Sequence, residues 1–155
     1  MSGVPTPDAT ASDYVDKHQN DKGRWFTYEP EKAIDGNPET AWRVAGDGEG
    51  EWIKLEYIRP IKVSAVGIIP GHAKIDQVSG DDRFKQLHVV RRASIVFSNE
   101  TVEKAEFKRE RSIQITRLDS PVVTKWVRIE IQETYPSGNA PYPIPETAIS
   151  EIEVQ

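Results

Sequence analysis

The stretch Val122-Val-Thr-Lys-Trp-Val-Arg-Ile-Glu-Ile-Gln-Glu-Thr-Tyr135 decides the fold. Val127, Ile129 and Ile131 share one parity, and Trp126, Arg128, Glu130 and Gln132 share the other. Successive side chains of an extended chain point to opposite faces, so this segment reads as a half-buried strand. The same period recurs on either side of it. Ile53, Leu55 and Tyr57 alternate with polar residues after Glu51-Trp52. Val63, Ala65, Gly67 and Ile69 fall on one parity with Val66 and Ile68 on the other, as suits a strand covered on both faces. Residues 87–98 read as a long strand kinked at Arg91-Arg92, residues 103–109 and 111–117 as shorter ones, and residues 148–154 as the closing strand with Ile152 and Val154 inward. Seven to nine strands parted by Gly- and Pro-containing turns predict an all-β chain, an antiparallel β-sandwich with little helix. The one helical piece expected is a single turn at residues 30–34, with Pro30 at a tolerated first position. Residues 1–12, with Ser2, Gly3, Pro5 and Pro7, read as a flexible leader ahead of one domain over 13–155.

Composition narrows the function classes. The chain has 155 residues, 20 Lys plus Arg against 25 Asp plus Glu, and a net charge of −5. A chain of this length buries roughly two thirds of its unfolded surface and needs no metal or disulfide to fold. Four Trp, five Tyr and four Phe supply a core. With no cysteine there is no thiol nucleophile, no Cys zinc site and no disulfide framework. No apolar run approaches the ~18 residues of a membrane span. The densest basic stretch, Lys104 to Arg111, is interleaved with Glu106 and Glu110, a self-paired solvated face rather than a nucleic-acid stripe. Nucleic acid is excluded as the expected partner.

Three long connections stand out, at residues 43–51, 70–84 and 133–147, and loops beyond ~12 residues in a compact domain are commonly functional. The sharpest motif is Lys32-Ala-Ile-Asp-Gly-Asn-Pro-Glu-Thr-Ala-Trp42. Gly36 admits positive φ and Pro38 fixes its own φ, so the chain turns tightly and points carbonyls inward. Asp35 adds a carboxylate and Thr40 a hydroxyl, a hard-oxygen set of the kind calcium takes. The same residues read equally as an Asx-turn leading into a strand, with Trp42 as a core anchor.

This motif resembles the N-terminal signature of the discoidin, or coagulation-factor type C, superfamily of galactose-binding-like jelly rolls. Four further segments appear in the right order: residues 48–53 (Gly-Glu-Gly-Glu-Trp-Ile), 66–74 (Val-Gly-Ile-Ile-Pro-Gly-His-Ala-Lys), 127–131 leading to Tyr135-Pro136, and 147–152 (Thr-Ala-Ile-Ser-Glu-Ile). Together they resemble the branch called the NADase-type glycan-binding domain, over roughly residues 14–155. The resemblance implies a structural calcium between the turn and the last strand. Its ligands would be the carbonyls of Lys32, Asn37 and Ser150, the carboxylates of Asp35 and Glu151, and Thr40 through carbonyl and hydroxyl. It also implies a glycan site on the loops. The candidates are Arg43, His72, Lys74, Arg83, Tyr135 and Tyr142, with Asp47, Asp76, Asp81 and Asp82 nearby in the same loops. An aromatic face against the apolar side of a sugar ring, with planar polar groups for its hydroxyls, is the chemistry such a rim needs. Each tyrosine reads equally as a loop-packing aromatic, and His72 as a strand-end turn residue.

Other chemistry does not emerge. Glycines 46, 48 and 50 are lined with acids that would repel phosphate. The pairs Asp81-Asp82 and Glu49/Glu51 read as solvated loop charges, and no Ser, His and Asp grouping can be picked out. No membrane-inserting apolar spikes are evident, and the terminal cysteine pair of many coagulation-factor type C domains is missing. The expectation is therefore a non-catalytic module that docks a parent protein onto cell-surface or wall glycans, outside the cell. The alternative is a protein–protein or scaffold module of a larger extracellular protein using the same loops.

Overall fold

The structure, a computed structural model, describes residues 4–138 and 140–155. Its strands are β1 (Asp8–Ala11), β2 (His18–Gln19), β3 (Trp25–Phe26), β4 (Trp42–Ala45), β5 (Trp52–Ile69), β6 (Val89–Phe97), β7 (Val102–Glu106), β8 (Gln114–Tyr135), β9 (Glu146–Ile149) and β10 (Glu151–Val154). A 3₁₀ turn spans Pro30–Ala33 and a short helix, α1, spans Arg83–Gln86. Every strand pair is antiparallel: β1-β5-β8-β6-β7 form the main sheet with β10 added on β5, while β2-β3 and β4-β9 form two-stranded ribbons.

The runs read as separate strands at 52–57 and 63–69 are one strand, and the run read at 111–117 joins that at 122–135 in a single strand that starts at Gln114. Pro60 and Pro121 suggest breaks, because proline cannot donate to a ladder. They fall instead where β5 and β8 slip register, between Glu56 and Ile61 and between Val63 and Ala65, so no cross-strand bond is asked of them. Each strand continues past these bulges, and its two halves feed one core. Ile53, Leu55 and Tyr57 from the first half of β5 meet Val63, Val66 and Ile68 from the second, together with Ile95, Phe97, Ile129, Ile131 and Ile149. Trp42 lies wholly inside, its Nε1 donating to the Asp13 carbonyl at 2.9 Å.

Two expectations are corrected. The leader expected over residues 1–12 does not extend that far: Asp8–Ala11 pairs with Ile53–Glu56, Ala9 is buried, and Ser12 N donates to the Trp52 carbonyl. Residues 1–3 lie outside the described residues. The 70–84 loop runs into a helix that was not expected, α1, which Asp82 caps by accepting from Phe84 N at 3.1 Å, while Phe84 and Leu87 enter the interior. Among the described residues no helix is long and apolar enough to cross a membrane.

Candidate functional site

A concavity of about 460 Å³ opens where four segments, residues 15–28, 39–43, 72–83 and 144–146, meet beside Lys32. The first is a hairpin made by its turn. Asn20 Oδ1 accepts from Lys22 N (3.0 Å) and Arg24 N (2.9 Å), and Gly23 takes the positive φ (80°) that closes it. The hairpin brings Trp25 and Phe26 to the rim, and Tyr28 follows into the wall. The third segment folds back on itself. Asp76 Oδ1 accepts from Val78 N and Ser79 N, Gly80 adopts positive φ, and Arg83 N donates to the Lys74 carbonyl at 2.8 Å. Lys74 and Arg83, nine residues apart in sequence, thereby become neighbours.

At the floor, Arg43 stands on β4 with its guanidinium over the Tyr28 ring, 4.4 Å from the centroid. Its Nη1 meets Glu146 Oε1 at 3.1 Å, and its Nε (3.1 Å) and Nη2 (2.9 Å) both reach His72 Nδ1. A guanidinium only donates, so Nδ1 must accept, and the imidazole proton sits on Nε2, which donates to the Glu39 carbonyl at 2.8 Å. Burial, reinforced by the Arg43 charge, pulls His72 down to about 3. It is a neutral, single-tautomer spacer that orients Arg43. Arg83 is held the same way, by Asp76 (3.0 Å) and Gln86 (2.8 Å). Lys74 Nζ lies 4.1 Å from the Phe26 centroid.

Of the sequence candidates, Arg43, His72, Lys74 and Arg83 line this one concavity. Tyr135 and Tyr142 do not. Tyr135 ends β8, stacks under Arg91 and donates its hydroxyl to the Phe107 carbonyl at 2.8 Å. Tyr142 is 80% exposed at φ 55°, with its carbonyl accepting from Gln86 Nε2. Both belong to the 133–147 loop, but strand register carries one to the Phe107 side and backbone handedness turns the other outward. The aromatic wall is Trp25, Phe26 and Tyr28, which the sequence reading passed over. The available signal was three aromatics just after Asn20-Asp-Lys-Gly23, a turn tetrapeptide. Of the nearby acids, Asp76 lines the pocket, Asp82 caps α1 and pairs with Arg111, and neither Asp47 nor Asp81 is part of the lining.

Beside the pocket lies the tight turn. Thr40 Oγ1 sits within hydrogen-bond reach of Asp35 Oδ2, the Asn37 carbonyl (3.0 Å) and the Lys32 carbonyl (3.3 Å). One hydroxyl proton cannot serve three oxygens, so this cluster is an oxygen cradle with a deficit of positive charge. Glu151 reaches in from the far end of the chain, with Oε2 accepting from Gly36 N at 3.2 Å and Oε1 buried without a partner. Burial, with Asp35 adding repulsion, pushes its carboxyl up to about 7. Ser150 spends its N–H on the Gly71 carbonyl and accepts from Ala73 N at its hydroxyl, which ties the junction of β9 and β10 to the pocket loop. Among the described residues no three His, Asp or Glu side chains gather as ligands. An ion here would lean on carbonyls and the hydroxyl, with Asp35 and Glu151 as its charged pair. The donor chemistry fits calcium.

An antiparallel sandwich of bulged long strands, with a candidate site on its loops, makes this a discoidin-like, galactose-binding-like β-sandwich. The chain belongs to the NAD glycohydrolase translocation F5/8 type C domain family, whose model matches residues 3–155. No curated protein sequence matches it. Solved structures share the fold at low identity. The family 32 carbohydrate-binding module (CBM) of Clostridium perfringens NanJ, in complex with galactose, is 17% identical over 95% of this chain and 91% of its own, with a TM-score of 0.63. The CBM32 of AlyQ, in complex with 4,5-unsaturated mannuronic acid, is 14% identical over 98% and 96%, also at 0.63. CpGH89CBM32-5 of Clostridium perfringens, in complex with GalNAc-β-1,3-galactose, is 14% identical over 95% and 93%, at 0.60.

Proposed function

We propose that the protein is a non-catalytic glycan-binding module that anchors a parent protein to carbohydrate outside the cell. The observation that carries the reading is the pocket itself. It pairs an aromatic wall, with Trp25 53% exposed, with the planar and cationic groups Arg43, Lys74 and Arg83, on a fold shared with modules solved with sugars. Aromatic rings take the C–H face of a pyranose, and charged fork donors take its vicinal oxygens. Arg43 and Arg83 are each fixed by two partners, so the donors are oriented before a ligand arrives. His72 positions Arg43 and performs no proton transfer.

The companion proposal is a structural calcium held by Asp35, Glu151, Thr40 and the carbonyls of Lys32, Asn37 and Ser150. When bound it would join residue 35 to residue 151 and neutralise two carboxylates. Chelation should then lower the melting temperature, and Asp35→Ala should abolish that sensitivity. A melting curve indifferent to chelator would remove the ion from the account.

The glycan reading is tested by screening the multivalently displayed protein on a glycan array in calcium-containing buffer. A consistent hit that Trp25→Ala abolishes, with the melting temperature held, supports the pocket. A blank array from folded protein would favour the scaffold alternative.

A further inference from the structure

Resting on the glycan reading of the pocket, we propose that its ligand is an acidic sugar, a pyranose whose carboxylate docks against Lys74 and Arg24 where both approach the ring of Phe26. Although the whole chain is acidic at −5, six basic residues line the pocket (Lys17, Arg24, Lys32, Arg43, Lys74, Arg83) against four acidic ones. A cleft that reverses the sign of the whole molecule concentrates ligands of the opposite charge.

Pairing sharpens the bias. Glu146 is committed to Arg43 and Asp76 to Arg83. Asp76 is the acid whose charge reaches Lys74, yet its oxygens already accept from Arg83, Val78 N and Ser79 N. Among the described residues Lys74 and Arg24 make no ion pair with a carboxylate. Both instead lie over the aromatic ring they share, with Lys74 Nζ 4.1 Å and Arg24 Cζ 5.1 Å from the Phe26 centroid. Lys74 is half-buried, and burial together with repulsion from Arg83, Arg43 and Arg24 holds its ammonium below the ordinary lysine range. A carboxylate placed there would relieve that crowding and gain charge-assisted hydrogen bonds from two cations whose charged ends already lie over the ring. Trp25, next along the hairpin, offers its ring to the same sugar.

A carboxylated pyranose can come from a uronic-acid polysaccharide or from a sialylated chain, and titration calorimetry with each distinguishes them. Trigalacturonic acid and 3′-sialyllactose are titrated into the intact protein beside the neutral galactotriose and lactose. At low salt one acid should bind about tenfold or more tighter than its neutral counterpart, a ratio that corresponds to ~1.4 kcal/mol. That ratio should shrink as salt is raised. In Lys74→Gln the acid-to-neutral ratio should fall toward one, and Lys74→Arg should restore it. Equal affinity for acidic and neutral sugars in the wild type, or a ratio unchanged in Lys74→Gln, overturns the acidic ligand and leaves the glycan site standing. Binding of none of the four sugars overturns the glycan reading and this inference together.

Discussion

The buried imidazole of His72 makes a sharp claim about acid stability. Its Nδ1 accepts from Arg43 and its Nε2 donates to Glu39, so protonation would set a second cation against a guanidinium that cannot lose its own charge. Between 6.5, the ordinary value, and about 3, the unfolded chain binds a proton at this residue that the folded protein does not. Stability therefore rises with pH across that window: it is fully present above 6.5 and is lost as the pH falls toward 3. One proton gives a limiting slope of ~1.4 kcal/mol per pH unit, hence a loss of about 2 kcal/mol by pH 5 relative to pH 7.5. Urea unfolding measured at half-unit intervals from pH 7.5 to 4.5 reads this directly. His72→Asn is the comparison, since its side-chain oxygen can take the Nδ1 acceptor position without titrating, and its curve should be flatter by that amount. Nitrogen shifts of the ring should hold the Nε2–H tautomer down to pH 5 in the native protein. Parallel stability curves for the two proteins, or a native His72 that protonates near 6, would refute the argument.

Three other outcomes are expected. Asp76 is held at about 2 by the N–H groups of Ser79 and Val78 and by Arg83, so it stabilises above the ordinary 3.8 and loses that contribution below it; Asp76→Asn should flatten the unfolding curve between about pH 4 and 2. Gly71→Ala would put a methyl 2.6 and 2.8 Å from the Phe84 ring carbons and 3.2 Å from Val89 Cγ2, and it should lower stability in urea by about 1–3 kcal/mol through overpacking. Trp42→Phe should cost about 1–3 kcal/mol by leaving the Asp13 carbonyl without its donor, and hydrogen exchange of Val15 N, bonded to the Arg43 carbonyl, should speed up.

The long strands were legible because burial wrote a strict period of two into residues 52–57 and 126–132. Their continuity through Pro60 and Pro121 was not, since a bulge leaves no periodic trace and depends on what the partner strand does opposite it. The pocket was half legible. His72 and Lys74 follow a Pro-Gly step at a strand end, a local signal for a loop at the edge of the sheet. The aromatic wall was hidden because β2 and β3 are two residues each, too short to show any alternation, and their pairing rests on the Asn20 side chain. Tyr135 and Tyr142 lie outside the concavity, because loop length locates a residue within a loop without saying which side of the sandwich it faces. A register opposite Val89 and a positive φ decide that.

The carbonyl of Glu39 sits between two sites. It belongs to the turn whose oxygens gather around Thr40, and it is also the acceptor that fixes His72, which in turn fixes Arg43 at the pocket floor. Any ion that stiffens the turn would change the freedom of the pocket by the same stroke. Thermodynamic reciprocity then demands that a ligand which tightens on adding the ion must, by an equal factor, tighten the ion. The turn that Glu151 reaches from the far end of the chain is thus linked to the floor of the pocket through one peptide group.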